Sequence, residues 1–348
     1  MLDLSKNRPP YPSTSWSHHS ALADTMPHAP VRFIDCHPRQ EDFRAAVLAG
    51  LGSTPKALEP KFFYDETGAG LFERICELPE YYPTRTEMAI LEQYADEIRA
   101  AVAHGDEVML IEFGSGAGKK VRLLLDHLRP AGYVAIDISK EQLVEACSEL
   151  AQLYPQIGIT AVYADYSQSF VQLASEIDGS ARRLAFFPGS TIGNFTPGDA
   201  ISFLRNVRSL VGAGGGLLIG VDMKKDRALL HAAYNDSAGV TAAFNFNLLH
   251  RINRELHADF DVSRFEHHAF YNEEQGRVEM HLRSLCAQHV RIGQGEFSFA
   301  GGETIHTENS YKYTPDEFAA LAERAGFVVN RQWRDDDGLF GVFYLAGL

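Results

Sequence analysis

The segment Val108-Met-Leu-Ile-Glu-Phe-Gly-Ser-Gly-Ala-Gly-Lys-Lys120 is an apolar run that reaches an acid and then breaks into alternating glycines before a helical pattern begins. Glycine lets the backbone turn tightly and approach a ligand closely, and Val121, Leu124, Leu125 and Leu128 resume at helical spacing. The segment therefore predicts a strand, a loop and a helix, with a nucleotide-like cofactor over the loop.

Three cofactor readings compete for such a loop. A phosphate-binding P-loop needs a glycine five residues before Gly118 and a Ser or Thr after the lysine, and here those positions are Phe113 and Lys120. A dinucleotide fingerprint needs glycine at 119, which is Lys119, although alanine-tolerant variants keep that reading open. The alternation of glycines behind Glu112 matches a loop for S-adenosylmethionine. Downstream, Tyr133-Val-Ala-Ile-Asp137 is a second strand ending in an acid, where a carboxylate can accept both ribose hydroxyls, a feature that NAD enzymes share. A third run, Thr160 to Tyr166, ends in Asp165 beside an aromatic; an acid there can accept an adenine amino group while a ring stacks on the base, as methyltransferases with such a loop arrange it. The fourth, Leu184-Ala-Phe-Phe-Pro-Gly-Ser-Thr-Ile-Gly-Asn194, ends in a polar loop carrying an amide. Successive strands with polar groups at their C-terminal ends predict an open α/β sheet with its ligands along that edge.

Composition narrows the class. At 348 residues the chain is long for one core, so two lobes are expected. Forty-six acids against thirty-two bases give a formal charge of −14, which disfavours nucleic acid or an anionic membrane as partner. Cysteines 36, 76, 147 and 286 show no C-x-x-C spacing, which points to free thiols in a reducing, cytoplasmic setting rather than disulfides, and no metal is implied. Apolar runs such as Gly216 to Val221 are far shorter than the roughly 18 residues of a membrane span. Residues 1–30, rich in Pro, Ser and His, are expected to form a loose tail.

Around this core the pattern changes twice. Gln40 to Leu51 predicts a helix, Pro60 to Gly70 an aromatic loop, Leu71 to Leu78 a helix, and Glu87 to Ala103 an amphipathic helix. Gly216 to Asp222 is a fifth strand, after which Arg227 to Leu256 is helical in character. Phe265 to Tyr271 and Arg277 to Arg283 alternate as antiparallel strands do. Thr314-Pro-Asp-Glu317 is a capping box opening a helix that Gly326 stops, and Gln332 to Arg334 with Leu339 to Leu345 form a last strand pair. We therefore expect residues 87–225 plus 311–348 to form the cofactor domain, and 31–86 plus 226–310 a discontinuous α+β lobe for substrate, with ligands between the two.

Six motifs together resemble the histidine-specific, S-adenosylmethionine-dependent methyltransferases. They are Tyr64-Asp-Glu-Thr-Gly-Ala-Gly-Leu-Phe72, Leu78-Pro-Glu-Tyr-Tyr-Pro-Thr-Arg85, Gly114-Ser-Gly116, Pro188-Gly-Ser-Thr-Ile-Gly-Asn194, Tyr234-Asn-Asp-Ser-Ala-Gly-Val-Thr241 and Thr307-Glu-Asn-Ser310. The resemblance runs from about residue 32 to the C-terminus and implies a class I, Rossmann-like methyltransferase sheet. It further implies Nα-methylation of L-histidine to its trimethylammonium betaine, hercynine, a step toward ergothioneine. On this resemblance Gly114, Ser115, Gly116, Lys120, Asp137, Asp165 and Tyr166 contact the cofactor. Asn194 and Tyr234 hold the substrate carboxylate, Tyr64 lies near the amine, Glu308 and Ser310 read the imidazole, and Phe72, Tyr81, Gly189 and Met280 shape the pocket. Tyr64 and Asn194 are the expected catalytic residues. The expected partner is a small amino acid bound by a monomer. Asn309 stands where the family has an apolar residue; in a strand it points away from Glu308 and Ser310.

Taken singly, these residues have plainer readings. Glu308 in a charged strand is by default a solvated acid, the aromatics at 62–82 are by default core, and Met280 alternates with Val278 and Leu282 as a core residue does. His267 and His268, with His257 and His281 nearby, suit solvated or packing roles, since neighbours in a strand point to opposite faces. Gly189 to Gly193 resembles a hydrolase elbow only superficially, because Thr191 sits where the nucleophilic serine belongs. A different amino-acid substrate, an NAD-dependent oxidoreductase and a non-catalytic binding protein remain alternatives at this level.

Overall fold

The computed structural model describes residues 31–36, 42–103, 107–116, 118–165, 177 and 181–347; the expected tail at 1–30 and Tyr166 lie outside them. The glycine-loop strand, β3 (Val108–Phe113), is central to an eight-stranded sheet. Toward one edge it is followed by β4 (Gly132–Asp137), β5 (Gly158–Tyr163) and β1 (Arg32–Asp35), and toward the other by β6 (Arg182–Phe187), β7 (Gly216–Asp222), β14 (Phe340–Gly347) and β13 (Phe327–Arg334). The strands from β1 to β7 pair in parallel, and β14 and β13 close the sheet antiparallel. Because the chain runs outward from β3 in one direction and from β6 in the other, the crevice where order reverses opens at their C-terminal ends. Alternate residues feed two cores. Ile111, Phe113, Ala185 and Phe187 face the helices Pro197–Val211 and Pro315–Arg324, while Leu110, Tyr133, Leu184 and Phe186 face helices Tyr82–Gln93, Lys119–Leu128 and Lys140–Leu153.

A third core belongs to a smaller sheet. Its strands are β2 (Lys56–Ala57), β12 (Thr304–Tyr311), β9 (Arg277–Ser284) and β8 (Phe265–Asn272) in that order, and the helix Val240–Leu256 packs on it through Phe244, Leu248 and Leu249. A separate hairpin pairs β10 (Gln288–Ile292) with β11 (Gly295–Phe299). The two larger sheets are stitched where β12 ends: Tyr313 N–H donates to the Asp222 carbonyl at 3.2 Å and the Tyr313 carbonyl accepts from Lys224 N–H at 2.9 Å.

The structure departs from the expected organisation at three places. Arg32–Asp35, assigned by sequence to the substrate lobe, completes the edge of the large sheet by pairing with Thr160–Tyr163. The boundary drawn at residue 86 falls inside the helix Tyr82–Gln93, whose first turn packs on the smaller core and whose later turns pack on the larger. The aromatic loop is short, because a helix starts at Glu66 rather than Leu71. Asp65 caps it by accepting from Gly68 N–H at 2.8 Å, and the absence of a side chain at Gly68 lets the helix press on the Phe63 carbonyl.

That close approach separates two glycines of one motif. A Cβ at Gly68 would lie 1.7 Å from the Phe63 carbonyl oxygen, whereas one at Gly70 meets nothing within 4 Å. Gly68→Ala is expected to destabilise the fold by about 1–3 kcal/mol. Gly70→Ala should be neutral or stabilise by up to about 1 kcal/mol. Urea midpoints with unchanged slopes check this, and equal midpoints for the two variants would contradict the packing described.

Candidate active site

At the head of β3, Gly114, Gly116 and Gly118 all have positive φ, the region glycine enters without cost. The loop is pinned from below: Gly114 N–H donates to the Ile136 carbonyl at 2.9 Å and Gly118 N–H to the Ser115 carbonyl at 3.0 Å. Asp137 ends β4 beside it, accepting from Ser139 N–H at 2.9 Å and from Gly116 N–H at 3.5 Å. Burial holds the Asp137 carboxyl above its ordinary pKa, partly offset by these backbone donors. Ser115 Oγ is buried with no hydrogen-bond partner, so the loop retains an unsatisfied polar atom. A glycine turn, an orphaned hydroxyl and a buried carboxylate suit an adenosyl group with its ribose diol. Asp165 lies just past β5, where Ala164 N–H donates to the Asp137 carbonyl at 3.1 Å.

Lys120 is tied differently. Its Nζ pairs at 2.6 Å with Glu87, a buried acid on the helix Tyr82–Gln93, and Glu87 accepts the Gly189 N–H with both oxygens at 3.0 and 2.9 Å. One carboxylate thus joins the glycine-loop helix to the loop after β6, across the switch point. Gly189 has φ +81°, and a Cβ there would lie 3.3 Å from Lys120 Nζ. Beneath the loop, Glu112 accepts from the Tyr133 hydroxyl at 2.5 Å. Burial pushes the Glu112 carboxyl up to about 8 against the opposing pull of Tyr133 and Lys120.

Across the crevice, the expected substrate residues form a lined patch. Register pairs Glu308 with Met280 and Ser310 with Val278, so these four share one face of the smaller sheet, while Asn309 pairs with Glu279 on the other. Glu308 is only 9% exposed, unlike the solvated acid its sequence context suggests. Burial raises its carboxyl to about 7, and Lys312 works in the opposite direction. Ser310 Oγ accepts from the Tyr234 hydroxyl at 2.8 Å. Tyr81 lies edge-on to Tyr234 at 6.5 Å between centroids and to Phe72 at 6.5 Å, and Tyr64 meets Phe72 at 5.7 Å, so four aromatic rings form a continuous wall. Tyr64, at 38% exposed, is its open end. The short 3-10 turn Thr191–Asn194 presses on the same strand: a Cβ at Gly193 would come 2.8 Å from the Tyr311 carbonyl and 3.6 Å from Ser310 Oγ, so the turn that ends in Asn194 borders the patch.

Sequence reasoning missed the charges that hold this arrangement. Asp222, at the C-terminal end of β7, pairs with Lys312 at 2.6 Å and with Lys225, and accepts from the Tyr82 hydroxyl at 2.8 and 2.9 Å. Lys312 also donates to Ser310 Oγ at 2.8 Å and to the Tyr234 hydroxyl at 3.0 Å. Burial opposes the charge on Asp222, but Lys312 and Lys225 outweigh it and lower its pKa. A signal was present: Glu308, Ser310 and Lys312 alternate at the strand period of two.

The histidines divide by face. His267 turns inward, taking Asn245 Nδ2 at 3.0 Å on Nδ1 and donating from Nε2 to the Tyr234 carbonyl at 2.9 Å, so it supports the backbone of a pocket residue. His281 and His306 stack at 4.8 Å on the outer face, and with Glu279 they bring three ligand-type atoms within 4.8 Å of one another. Glu279 is already engaged by Arg277, Asn272 and His281.

A sheet of this strand order, with a glycine loop after its first core strand and a buried carboxylate after the next, defines a class I S-adenosylmethionine-dependent methyltransferase. The family model described as histidine-specific, S-adenosylmethionine-dependent methyltransferase matches residues 43–347. A histidine N-alpha-methyltransferase of Mycolicibacterium smegmatis is 44% identical, over 87% of this chain and 94% of its own length, and one of Mycobacterium tuberculosis is 42% identical with the same coverage. An L-tryptophan methyltransferase of Psilocybe serbica is 28% identical over 87% of this chain and 92% of its own. The chain belongs to the histidine-specific methyltransferase family, and it is an enzyme that uses S-adenosylmethionine as methyl donor.

Glu112 gives a titration test of the loop. Its folded-state pKa is raised, so between about 4.5 and 8 the folded protein keeps a proton the unfolded chain has released, and stability declines as pH rises through that window. Glu112→Gln removes this slope. In urea unfolding without cofactor, the wild type should lose more stability from pH 5 to pH 8 than the variant does; parallel losses would show that Glu112 does not titrate as described.

Proposed function

We propose that the enzyme methylates the α-amino group of L-histidine, three times in succession, to give trimethylhistidine. The observation that carries this reading is the meeting of Glu308 and Ser310, both buried and on one strand face, with the aromatic wall and the Asn194 turn at the cofactor edge. The smaller sheet and its helices serve as the substrate lobe, and the larger sheet serves as the cofactor domain.

When bound, S-adenosylmethionine supplies an electrophilic methyl carbon for in-line displacement. Gly114, Ser115, Gly116, Asp137, Asp165 and Tyr166 would hold the donor, and Lys120 steadies the loop through Glu87. Asn194 and Tyr234 hold the carboxylate, and Tyr64 at the open end of the wall orients the amine, which must be neutral to attack. Near a sulfonium in a water-poor cleft the ammonium form is disfavoured, so no strong dedicated base is required. Each added methyl removes an N–H and adds bulk; the rings of Tyr64, Tyr81 and Tyr234, with Phe72, accommodate both. Gly189 leaves room beside Lys120, and Met280, next to Glu308 on the same sheet face, forms part of the pocket floor.

The acidic balance and free cysteines support a cytoplasmic enzyme without nucleic-acid or membrane partners, and no helix among the described residues is long and apolar enough to cross a membrane.

Incubation with S-adenosylmethionine and a mixture of amino acids, followed by mass spectrometry of the methylated products, is expected to give trimethylhistidine as the main product. Methylation of another amino acid in preference would reject histidine while keeping the enzyme class. Glu308→Ala leaves the ring's N–H without its acceptor and is expected to lose about 1.5–3 kcal/mol of substrate recognition in kcat/KM. Unchanged histidine kinetics in that variant would remove Glu308 from the site.

A further inference from the structure

Lys312 is 1% exposed and spends its three protons on Asp222, Ser310 Oγ and the Tyr234 hydroxyl. The Tyr234 hydroxyl in turn donates to Ser310 Oγ. Both hydroxyl oxygens therefore accept from the ammonium, one O–H closes the triangle, and the O–H of Ser310 is left over. Without the ammonium the two hydroxyls are ambivalent, each able to offer a proton or a lone pair. With it, the pair faces a ligand as a donor. A ligand with two acceptors displaces only the Tyr234–Ser310 bond, after which both protons are available while both oxygens stay held by Lys312.

We propose that Lys312 is a positioning residue that sets the hydrogen-bond polarity of the substrate pocket, holding Tyr234 as donor to the amino acid's carboxylate and Ser310 as donor to the bare nitrogen of a neutral imidazole. Glu308, two residues along the same face, then accepts the ring's N–H, so the pocket reads one acceptor and one donor on a single ring. An imidazolium is rejected because it carries a second N–H toward Ser310 and a positive charge toward a fixed ammonium. Burial opposes the charge on Lys312, but Asp222 outweighs it and keeps the side chain protonated. The inference rests on histidine being the substrate.

The test uses the full-length enzyme with Lys312→Met and the double variant Asp222→Asn/Lys312→Met. The single variant leaves Asp222 with Lys225 and Tyr82; the double removes the pair, and Lys225, brought down to about 8 by burial, keeps the Tyr82 hydroxyl and the Leu339 carbonyl. Histidine KM is expected to rise on the order of tenfold to a hundredfold in both variants. The kcat and the dissociation constant for S-adenosylmethionine should stay within about threefold. If Lys312 serves only to neutralise Asp222, the double variant will recover wild-type KM along with its melting temperature, and that result overturns the proposal. Should Lys312→Met fail to fold, the double variant alone decides. Failure of the wild type to turn over histidine would instead refute the substrate, a separate outcome visible in the same assay.

Discussion

Asp222 ends β7 inside the protein, at 1% exposure, against two lysines that are almost as deeply buried. Taking such charges out of water costs several kcal/mol per ion, and the cost is recovered only when attraction and hydrogen bonds saturate the group. Here they do. The carboxylate receives both ammoniums and the Tyr82 hydroxyl, and its own backbone N–H donates to Ser190 Oγ at 2.9 Å. The partners arrive from separate segments: the turn after β7, the helix Tyr82–Gln93, the loop after β6 and the end of β12. An apolar cluster of equal volume would hold these segments as firmly but without direction. Three donors around one carboxylate fix the directions from which these segments approach, and in this arrangement the cofactor edge lies beside the substrate strand.

Glu87 repeats the device on a smaller scale. It ties Lys120 to the Gly189 amide, so one carboxylate bridges the helix that follows the glycine loop and the loop that carries Asn194. A Cβ at Gly220 would meet Glu87 Oε1 at 1.9 Å, so the strand beneath also leaves the space this acid needs. Both networks place charge under the crevice rather than in it. Among the surfaces left facing a ligand are an unpaired serine hydroxyl and a carboxylate with backbone donors on the cofactor side, and Glu308, Ser310 and a wall of rings on the other.

How much of this was legible depended on whether a feature is local. The strands β3, β4, β6 and β7 carry their own pattern, apolar runs ended by glycine or acid, and the capping box at Thr314 and Glu317 forms as its spacing dictates. The edge strand Arg32–Asp35 has no such signature; its identity comes from the exposed ladder of β5, a partner well over a hundred residues away. The helix at Glu66 was hidden by its glycines, which read as loop until Phe63 is seen against Gly68. Individual pocket residues were reached through motifs, since a buried glutamate and a solvated one look alike in sequence. Lys312 and Asp222 were passed over because a lysine after a strand and an acid at a strand end both read as surface, and only their pairing makes them interior.

The charge count of the pocket bears on how the amine is made ready. One carboxylate, Asp222, faces two ammoniums, Lys225 and Lys312, and Glu308 with its pKa near 7 is only partly ionised at neutral pH. Of the two ammoniums, Lys225 is turned to Asp222, the Tyr82 hydroxyl and the Leu339 carbonyl with Asp335 nearby, and Lys312 is the one that also reaches the hydroxyls of Tyr234 and Ser310. An amino acid with its amine protonated brings no net charge, whereas the reactive form, carboxylate with a free amine, brings one negative charge. The Lys312 ammonium behind Tyr234, joined by the sulfonium of the donor, favours that second form at binding. Lys312 then acts on which form of the amino acid is held rather than on the displacement itself, and the cleft needs no base that successive methylations would crowd.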